Sequence, residues 1–466
     1  MSTGVDLVVR AVELRVRDVR LRLPFRFGAS TLTACPQLFV RAEVEVPGHG
    51  RATGFAAEMM VPKWFDKRAA FTPDANLAHL ARAARSAAAA YTNDAPATAF
   101  GLFARHYGAL MADGAAAGLT ELSAAFGQAV LDKAVVDALC RALDASFFEA
   151  VRRNAIGLVD DAAIADMAGW DWTAWLATLR PLHRIEARHT VGLLDEIDAV
   201  RFEPAEQGGL PISLPAVIER YGHRCFKIKL GGDPRADLER LRAVLAVLDA
   251  TVGDYRYTLD GNEQYASRDA LDELLAGLAP LRAPLYLEQP VPRELSLAGT
   301  PPAGAVPLLM DEADGTLDAF PRARDCGWRG VSSKSCKGLY KALVNRARCE
   351  RWNLEVPETA TWFMSAEDLT CQAGLAVQQD LALAALLGLD HAERNGHHYG
   401  RGFGDAPAAE QGAFAAAHPD LYESRDGGAA QLCIRAGAIE LDSLFAAPGF
   451  AHRADPDWRA TLPLTL

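Results

Sequence analysis

The stretch FKIKLGGDPRADLERL, residues 226–241, joins a short apolar segment to an amphipathic helical pattern through a turn with two glycines and a proline. Side chains two residues apart on a strand point to the same face, so Lys227 and Lys229 are predicted to lie side by side. Two ammonium groups on one face repel each other unless an anionic group lies nearby. The stretch therefore predicts a strand whose polar face meets either water or an anion.

The same pattern, in which a helix follows an apolar strand, recurs downstream. YRYTLDGN precedes ALDELLAGLAPL, and three further strand-like segments are APLYLEQPV, AVPLLMDEADG and GWRGVSSKSCKG. Alternating strands and helices indicate parallel pairing with right-handed crossovers. The long run of such units favours an α/β fold closed into a barrel.

The regions on either side of this run have a different character. Residues 6–59 are rich in Val, Leu and Arg with alternating stretches, which predicts antiparallel strands. Residues 75–155 shift to alanine-rich segments with apolar residues at helical spacing. Residues 418–466 lose the strand–helix alternation and predict a hairpin that returns to cover another part of the fold.

Composition and charge exclude several classes of function. The chain has 466 residues and a formal net charge of −12, which argues against nucleic acid or an anionic membrane as the main partner. The N-terminus has no apolar signal segment, and the apolar run at 381–389 is too short to span a bilayer. The eight cysteines are scattered singly, so neither a disulfide framework nor a zinc ribbon is indicated. We expect a soluble, cytoplasmic protein.

Five ionisable residues close successive predicted strands, one in each unit: Lys229, Asp260, Glu288, Asp311 and Lys334. In a (β/α)8 barrel the carboxyl ends of the strands converge on one mouth, where the active site lies. Three crowded carboxylates need a hard dication, and oxygen-only ligands suit Mg²⁺. We therefore predict a metal site formed by the three acids, with a lysine on each side of it.

This arrangement has a chemical interpretation. A small-molecule carboxylate bound to the metal would place its α-carbon between the two lysines, and the metal would stabilise the enediolate formed when the α-proton leaves. A lysine whose pKa is lowered by a dication and a second lysine can act as a base near neutrality. We predict Lys229 and Lys334 as the catalytic acid/base residues. Lys227 either lowers the pKa of Lys229 or binds a substrate carboxylate.

The motifs FKIKLG, LDGNEQY, YLEQPV, LMDEAD and SSKSCKGLYKA resemble, in this order, those of the enolase superfamily, within it the mandelate racemase/muconate lactonising enzyme family. The resemblance implies a modified (β/α)7β barrel with an α+β capping domain, a Mg²⁺ cofactor with Mn²⁺ as the alternative ion, and a homo-oligomer. The predicted domains are a capping domain at 1–180 with an insertion near 63–118, a barrel at 181–417, and a C-terminal return at 418–466 that completes the cap.

Other residues are candidates for supporting the metal ligands or binding substrate: Lys227, Asn262, Glu312, Lys337, Arg26, Glu393, His397 and His398. Lys334 and Lys337 both fit the family's Lys-x-x-Lys pattern, and Lys334 is preferred because it lies at the strand end. His397 and His398 are open between substrate contact and packing. The predicted seventh and eighth strand regions, NLEVPET and GLDHAERNGHHYGRG, match no specificity signature, so the substrate stays unassigned.

Several functions are compatible with this set of residues. Two lysines on opposite faces favour a racemase or epimerase, and the same pair permits a syn-dehydratase like o-succinylbenzoate synthase or a cycloisomerase. A zinc amidohydrolase needs His-x-His on the first barrel strand, where RHTVG has a single histidine. A catalytically silent binding relative would be free to lose these costly buried charges. We therefore predict an enzyme.

Overall fold

The computed structural model describes residues 4–204, 209–298, 306–357, 362–424, 428–451 and 453–465. In these ranges the strands are β1 (Asp6–Phe27), β2 (Ser30–Val46), β3 (Gly50–Met59), β4 (Ala97–Thr98), β5 (Arg184–Val191), β6 (Cys225–Lys229), β7 (Arg256–Asp260), β8 (Leu287–Glu288), β9 (Leu308–Met310), β10 (Gly330–Ser333), β11 (Phe363–Ala366), β12 (His391–Arg394), β13 (Tyr422–Glu423), β14 (Gln431–Leu432), β15 (Ala438–Glu440) and β16 (Leu462–Pro463). The helices are α1 (Pro73–Tyr91), α2 (Ala99–Ala116), α3 (Glu121–Ala142), α4 (Phe147–Arg152), α5 (Trp172–Thr178), α6 (Leu214–Tyr221), α7 (Pro234–Thr251), α8 (Arg268–Leu278), α9 (Arg293–Ser296), α10 (Ala319–Asp325), α11 (Leu339–Glu355), α12 (Leu375–Leu386), α13 (Gly396–Tyr399) and α14 (Ala408–Ala417).

The N-terminal sheet is antiparallel, with strand order β16-β1-β2-β3 and with β4 on β1. Val, Leu and Arg alternate along β1, which suits a sheet with one face packed and one face towards water. Helix α3 lies so close to β3 that a Cβ at Gly54 would be 2.2 Å from the carbonyl oxygen of Ala134. Together with α1 and α2, this sheet forms the cap.

Strands β5 to β12 form a closed parallel barrel. Each strand pairs with the next in chain order, and β12 closes the ring on β5 through pairs such as His391 with Glu186. The predicted barrel with an α+β cap is therefore confirmed. Strand β15 adds to β5 in the antiparallel sense, and β16 pairs with β1, so the C-terminal region contacts both sheets.

The seventh barrel strand is not where the sequence placed it. The residues NLE of the NLEVPET segment end helix α11 at Glu355. Strand β11 begins only at Phe363. Residues 358–361, which include the end of that segment, lie outside the described ranges. The prediction was wrong because Leu354 and Val356 resemble a short strand, yet they lie exposed at the end of a helix. The eighth strand lies within the predicted region.

Side chains that alternate along each barrel strand separate a polar interior from an apolar outer layer. On β5, Arg188 binds Glu367 and Thr190 binds Glu393 inside the barrel, whereas Ile185 and Ala187 are buried in the apolar core. The barrel interior is therefore lined by charged and polar side chains and is not a hydrophobic core. No helix in the described residues is long and apolar enough to cross a bilayer.

Candidate active site

The five predicted strand-end residues meet inside the mouth of the barrel. Lys229 Nζ lies 2.6 Å from Asp260 Oδ2, and Lys334 Nζ lies 2.5 Å from Asp311 Oδ2. Glu288 lies between the two aspartates because β7, β8 and β9 are neighbours in the barrel. All five side chains are buried, so their charges act on one another through little water.

Lys227 lies at the centre of four carboxylates. Its Nζ is 2.6 Å from Glu288, 2.8 Å from Glu367, and 2.9 Å from both Asp260 and Glu393. Burial disfavours the ammonium, but the four acids outweigh burial and raise the pKa of Lys227 well above its usual value. The anions that stabilise this lysine are therefore the chain's own carboxylates, and its role is that of a fixed positive charge.

Glu288 shows that the carboxylates outnumber the cations locally. Burial and the charges of Asp260 and Glu367 raise its pKa well above the usual value, and its Oε1 has no hydrogen-bond partner in the described part of the chain. Burial also opposes ionisation of Asp260 and Asp311, but neighbouring lysines lower the pKa of both. Three buried carboxylates with an unpartnered oxygen fit a hard dication such as Mg²⁺.

Lys334 differs from the expectation for a basic lysine. Burial disfavours its ammonium form, but the ion pair with Asp311 outweighs burial and raises its pKa above the usual value. Lys334 is therefore held in its ammonium form beside Asp311. Trp64 of the cap lies over it, with the ring centroid 4.5 Å from Nζ, a distance suited to a cation–π contact.

Lys337 lies beside the same aspartate but has other partners. Its Nζ is 2.8 Å from Asp314 Oδ2 and 2.7 Å from Ser332 Oγ, and 3.7 Å from Asp311 Oδ1. This geometry supports the choice of Lys334 as the strand-end lysine, because Lys334 has the shorter contact with Asp311.

Asn262 and Glu312 pair with each other at the rim of the cluster. The Asn262 amide Nδ2 donates to Glu312 Oε1 at 3.2 Å, and its backbone N–H donates to Asp260 Oδ1 at 2.8 Å. Lys67 of the cap donates to Glu312 Oε1 at 2.9 Å. These two residues therefore connect Asp260 and the cap at the edge of the cluster.

Residues 213–419 match a family model described as "Enolase C-terminal domain-like". The similarity to this family is shown for residues 213–419, which include β6 to β12 of the barrel. The resemblance predicted from the five motifs is thereby confirmed. A search of curated proteins found no significant match.

Two solved structures show how far the superfamily fold extends over the chain. The dipeptide epimerase from Enterococcus faecalis V583, complexed with Mg and the dipeptide L-Leu-L-Tyr, has a TM-score of 0.60 at 16% identity, covering 95% of this chain and 99% of that chain. The N-succinyl Arg/Lys racemase from Bacillus cereus ATCC 14579 has a TM-score of 0.58 at 14% identity, covering 97% of this chain and 96% of that chain. At these identities the similarity establishes the fold.

The remaining predicted residues are dispersed. Glu393 lies inside the barrel, where it binds Lys227 and accepts a 2.6 Å hydrogen bond from Thr190. Arg26 is exposed, and its Nε donates to the carbonyl of Gly28, so the structure gives no support to a substrate contact. Its neighbours Phe25 and Phe27 are buried, as the alternation along β1 requires.

His397 and His398 belong to a different environment from the carboxylates. His398 contacts Arg22 and Asp195, and the His397 ring packs among His189, His223 and Tyr221. Of the two interpretations left open by the sequence, the structure favours packing for both rings.

Three residues at this site were missed by sequence reasoning. Glu367 lies directly after β11, the position that identified the other acids, and it was missed because the seventh strand had been placed too early. Trp64 and Lys67 come from the cap and reach the barrel only through tertiary packing. No spacing rule in the sequence connects them to the site.

Two aromatic residues of the cap cover the site. The Phe25 ring lies 5.7 Å from Lys229 Nζ and stacks on Tyr399 with ring centroids 4.3 Å apart. Trp64 covers Lys334 on the other side. Phe25 and Trp64 therefore flank the two lysines on the side of the cap.

Proposed function

We propose that the chain is an enzyme that removes the proton next to a carboxylate in a small molecule and returns a proton to the same carbon. The observation that carries this proposal is the placement of Lys229 and Lys334. They lie at the ends of the second and sixth strands of an eight-stranded ring, with three strands between them in either direction. Two acid/base groups on opposite sides of one carbon are what racemisation or epimerisation needs.

Asp260, Glu288 and Asp311 would hold Mg²⁺, with Mn²⁺ as the alternative ion. When bound, the ion supplies Lewis-acid stabilisation of the negative charge that develops on the substrate carboxylate. The three carboxylates are buried and are therefore shielded from solvent. The positive charge of Lys227 reduces the repulsion between Asp260 and Glu288.

The two lysines have complementary starting states in one direction of reaction. Lys229, as a neutral amine, accepts the α-proton, and Lys334, as an ammonium, donates a proton to the opposite face. The reverse reaction exchanges the roles, and the net proton count of the pair is unchanged.

The substrate class is proposed from the named relatives with the same fold. One relative acts on N-succinyl arginine or lysine and the other on dipeptides, and both substrates carry an α-proton beside a carboxylate and an acylated amine. We propose N-acylated amino acids or dipeptides for this chain. A syn-dehydratase or cycloisomerase is the second candidate, because one lysine can act while the other only stabilises charge. A catalytically silent relative is the remote third.

Exchange of the substrate α-proton with deuterium from D₂O tests the two-lysine reaction. A panel of L and D N-succinyl amino acids and dipeptides is incubated with the Mg²⁺-loaded protein, and exchange is followed by NMR. In Lys229→Ala we expect exchange to be lost for one stereoisomer only, and in Lys334→Ala for the other. Each variant is the matched control for the other, because the two lysines have similar burial and ion pairs.

The outcomes separate the candidates. Loss of exchange for both stereoisomers in one variant, with no loss in the other, would favour a one-base dehydratase or cycloisomerase. No exchange in the native protein together with no thermal response to Mg²⁺ would favour the silent relative. Cytoplasmic location and a homo-oligomer stay predictions, and size-exclusion chromatography with light scattering tests the second.

A further inference from the structure

Four histidines lie together outside the barrel interior. His189 is on β5, where its neighbours Arg188 and Thr190 point inward, so its ring points to the outer layer. His223 lies two residues before β6, and His397 and His398 are in α13, which follows β12. The cluster therefore lies at the seam where the first and last strands close the barrel.

Three of these rings have the geometry of a ligand set. A ring nitrogen from each of His189, His223 and His397 lies within 4.8 Å of the other two. The ring centroids are 5.2, 5.6 and 5.4 Å apart, and all three residues are at least nine-tenths buried. Small side-chain rotations would bring the nitrogens to the spacing of a tetrahedral site.

The ring nitrogens have unused bonding capacity. His223 Nδ1 lies 2.9 Å from the carbonyl oxygen of Ala187, which assigns its proton to Nδ1 and leaves Nε2 as a lone pair. Within the described residues, that Nε2, Nδ1 of His189 and both nitrogens of His397 have no hydrogen-bond partner. In metal-binding histidines, a backbone carbonyl commonly accepts a hydrogen bond from one ring nitrogen and thereby orients the other nitrogen towards the metal.

The charge state of the rings also suits a metal. Burial and the neighbouring rings lower the pKa of His189 and His397 well below the usual value, and burial lowers that of His223 to about 4, so all three are neutral at pH 7. Neutral imidazole is the form that binds metal ions. Arg22 lies close enough to oppose a cation, but its ion pair with Glu203 at 3.1 Å offsets that charge.

We propose that His189, His223 and His397 form a second metal site, separate from the carboxylates, for a borderline transition-metal dication such as Zn²⁺. Imidazole ligands select Zn²⁺ and its neighbours in the first row, whereas Mg²⁺ prefers oxygen. Another triad, His189 with Asp195 and His398, is the weaker candidate. Its aspartate is already bound by the Tyr399 hydroxyl at 2.7 Å and by the Gly192 backbone N–H at 2.8 Å.

Such an ion would join three separate segments of the chain. It would tie α13 to β5 and to His223 ahead of β6, and α13 carries Tyr399, on which Phe25 of the cap stacks. The proposed role is therefore structural: the ion would fix α13, and with it Tyr399, against which Phe25 of the cap packs over the active site.

Titration of the full-length protein with Co²⁺ in excess Mg²⁺ tests this site. Tetrahedral imidazole coordination gives Co²⁺ an intense visible absorption, whereas six-coordinate oxygen ligands give a weak one. We expect one equivalent of Co²⁺ to develop the intense band and Zn²⁺ to displace it. His223→Ala is expected to weaken Co²⁺ binding by more than about 100-fold. Loss of a residue that only hydrogen-bonds to a metal ligand usually weakens metal binding by about 10- to 100-fold.

Two controls distinguish this site from others. Asp260→Asn alters the carboxylate cluster and is expected to keep the band, so the result does not depend on the proposed reaction. His49→Ala removes an exposed histidine and is also expected to keep it. Absence of the band in the native protein, its survival in His223→Ala, or its loss in Asp260→Asn would each overturn the proposal. Should His223→Ala fail to fold, His397→Phe, with thermal stabilisation by Zn²⁺ as the readout, carries the same test.

Discussion

Replacing Glu288 by glutamine separates metal binding from folding. The carboxylate is fully buried, one of its oxygens has no hydrogen-bond partner in the described structure, and burial and two neighbouring acids raise its pKa. A neutral amide of the same shape removes a charge that is poorly compensated. Lys227 keeps its contacts with Asp260, Glu367 and Glu393. Without Mg²⁺, we expect Glu288→Gln to be at least as stable as the native chain.

The size of the Mg²⁺ effect follows from linkage. At a free Mg²⁺ concentration 100 times the Kd, binding to the folded state stabilises it by about 2.7 kcal/mol. Unfolding entropy is about 2.1 cal/mol/K per residue, so a chain of 466 residues gives about 1 kcal/mol/K. The melting temperature of the native protein should therefore rise by about 3 °C, and that of Glu288→Gln should not change.

Differential scanning fluorimetry across a MgCl₂ series measures both quantities. Asp132→Asn is the matched control, because Asp132 is also a buried carboxylate whose pKa is raised by burial, but it lies in the cap beside Tyr91. This control should keep the full Mg²⁺ shift. A Mg²⁺ shift of native size in Glu288→Gln would refute the assignment of Glu288 as a ligand. A marked loss of stability in Mg²⁺-free buffer would refute the charge argument.

Three further changes probe the cap, the site cover and the C-terminal region. In urea unfolding, Gly54→Ala should destabilise the fold by about 2 kcal/mol or more, because its Cβ would lie 2.2 Å from a backbone oxygen of α3. Gly108→Ala is the control: its Cβ meets open space in α2, so this change should stabilise the fold by up to about 1 kcal/mol. Trp64→Leu should lower kcat/KM by about tenfold through loss of the contact with Lys334, and Trp64→Phe by less. Burial lowers the pKa of His418 from 6.5 to about 4, so the unfolded chain takes up a proton before the folded chain does. The free energy of unfolding should therefore be unaffected above pH 6.5 and fall by roughly 2.5 kcal/mol by pH 4.5, a loss that urea unfolding of His418→Gln should lack.

The five acidic and basic residues that meet in the barrel mouth could be predicted because each ends or follows a short apolar strand at the spacing of one βα unit. The same rule would have identified Glu367, which directly follows β11. It failed there because Leu354 and Val356, at the end of α11, resemble a strand although they are exposed. Local pattern does not distinguish a helix end with exposed apolar residues from a short buried strand.

The cover of the site and the histidine cluster could not be predicted from local pattern. Trp64 and Phe25 contact the barrel lysines only because the cap packs on the barrel mouth. His189 is a single histidine on its strand, and its partners come from segments far away in the chain. Such contacts depend on which elements become neighbours in the closed barrel, and residue periodicity carries no information about that.

The pairing of β16 with β1 also constrains how the chain can assemble. Arg15 pairs with Pro463, and Ile185 of the barrel pairs with Ile439, so both sheets are completed by segments made late in translation. Until β16 pairs, the part of the β1 edge that it covers is open to pairing with other chains. Contacts between such distant segments also form slowly. Nascent protein should therefore depend on chaperones more than a chain of similar length with local pairing, and truncation before Leu462 should lead to aggregation.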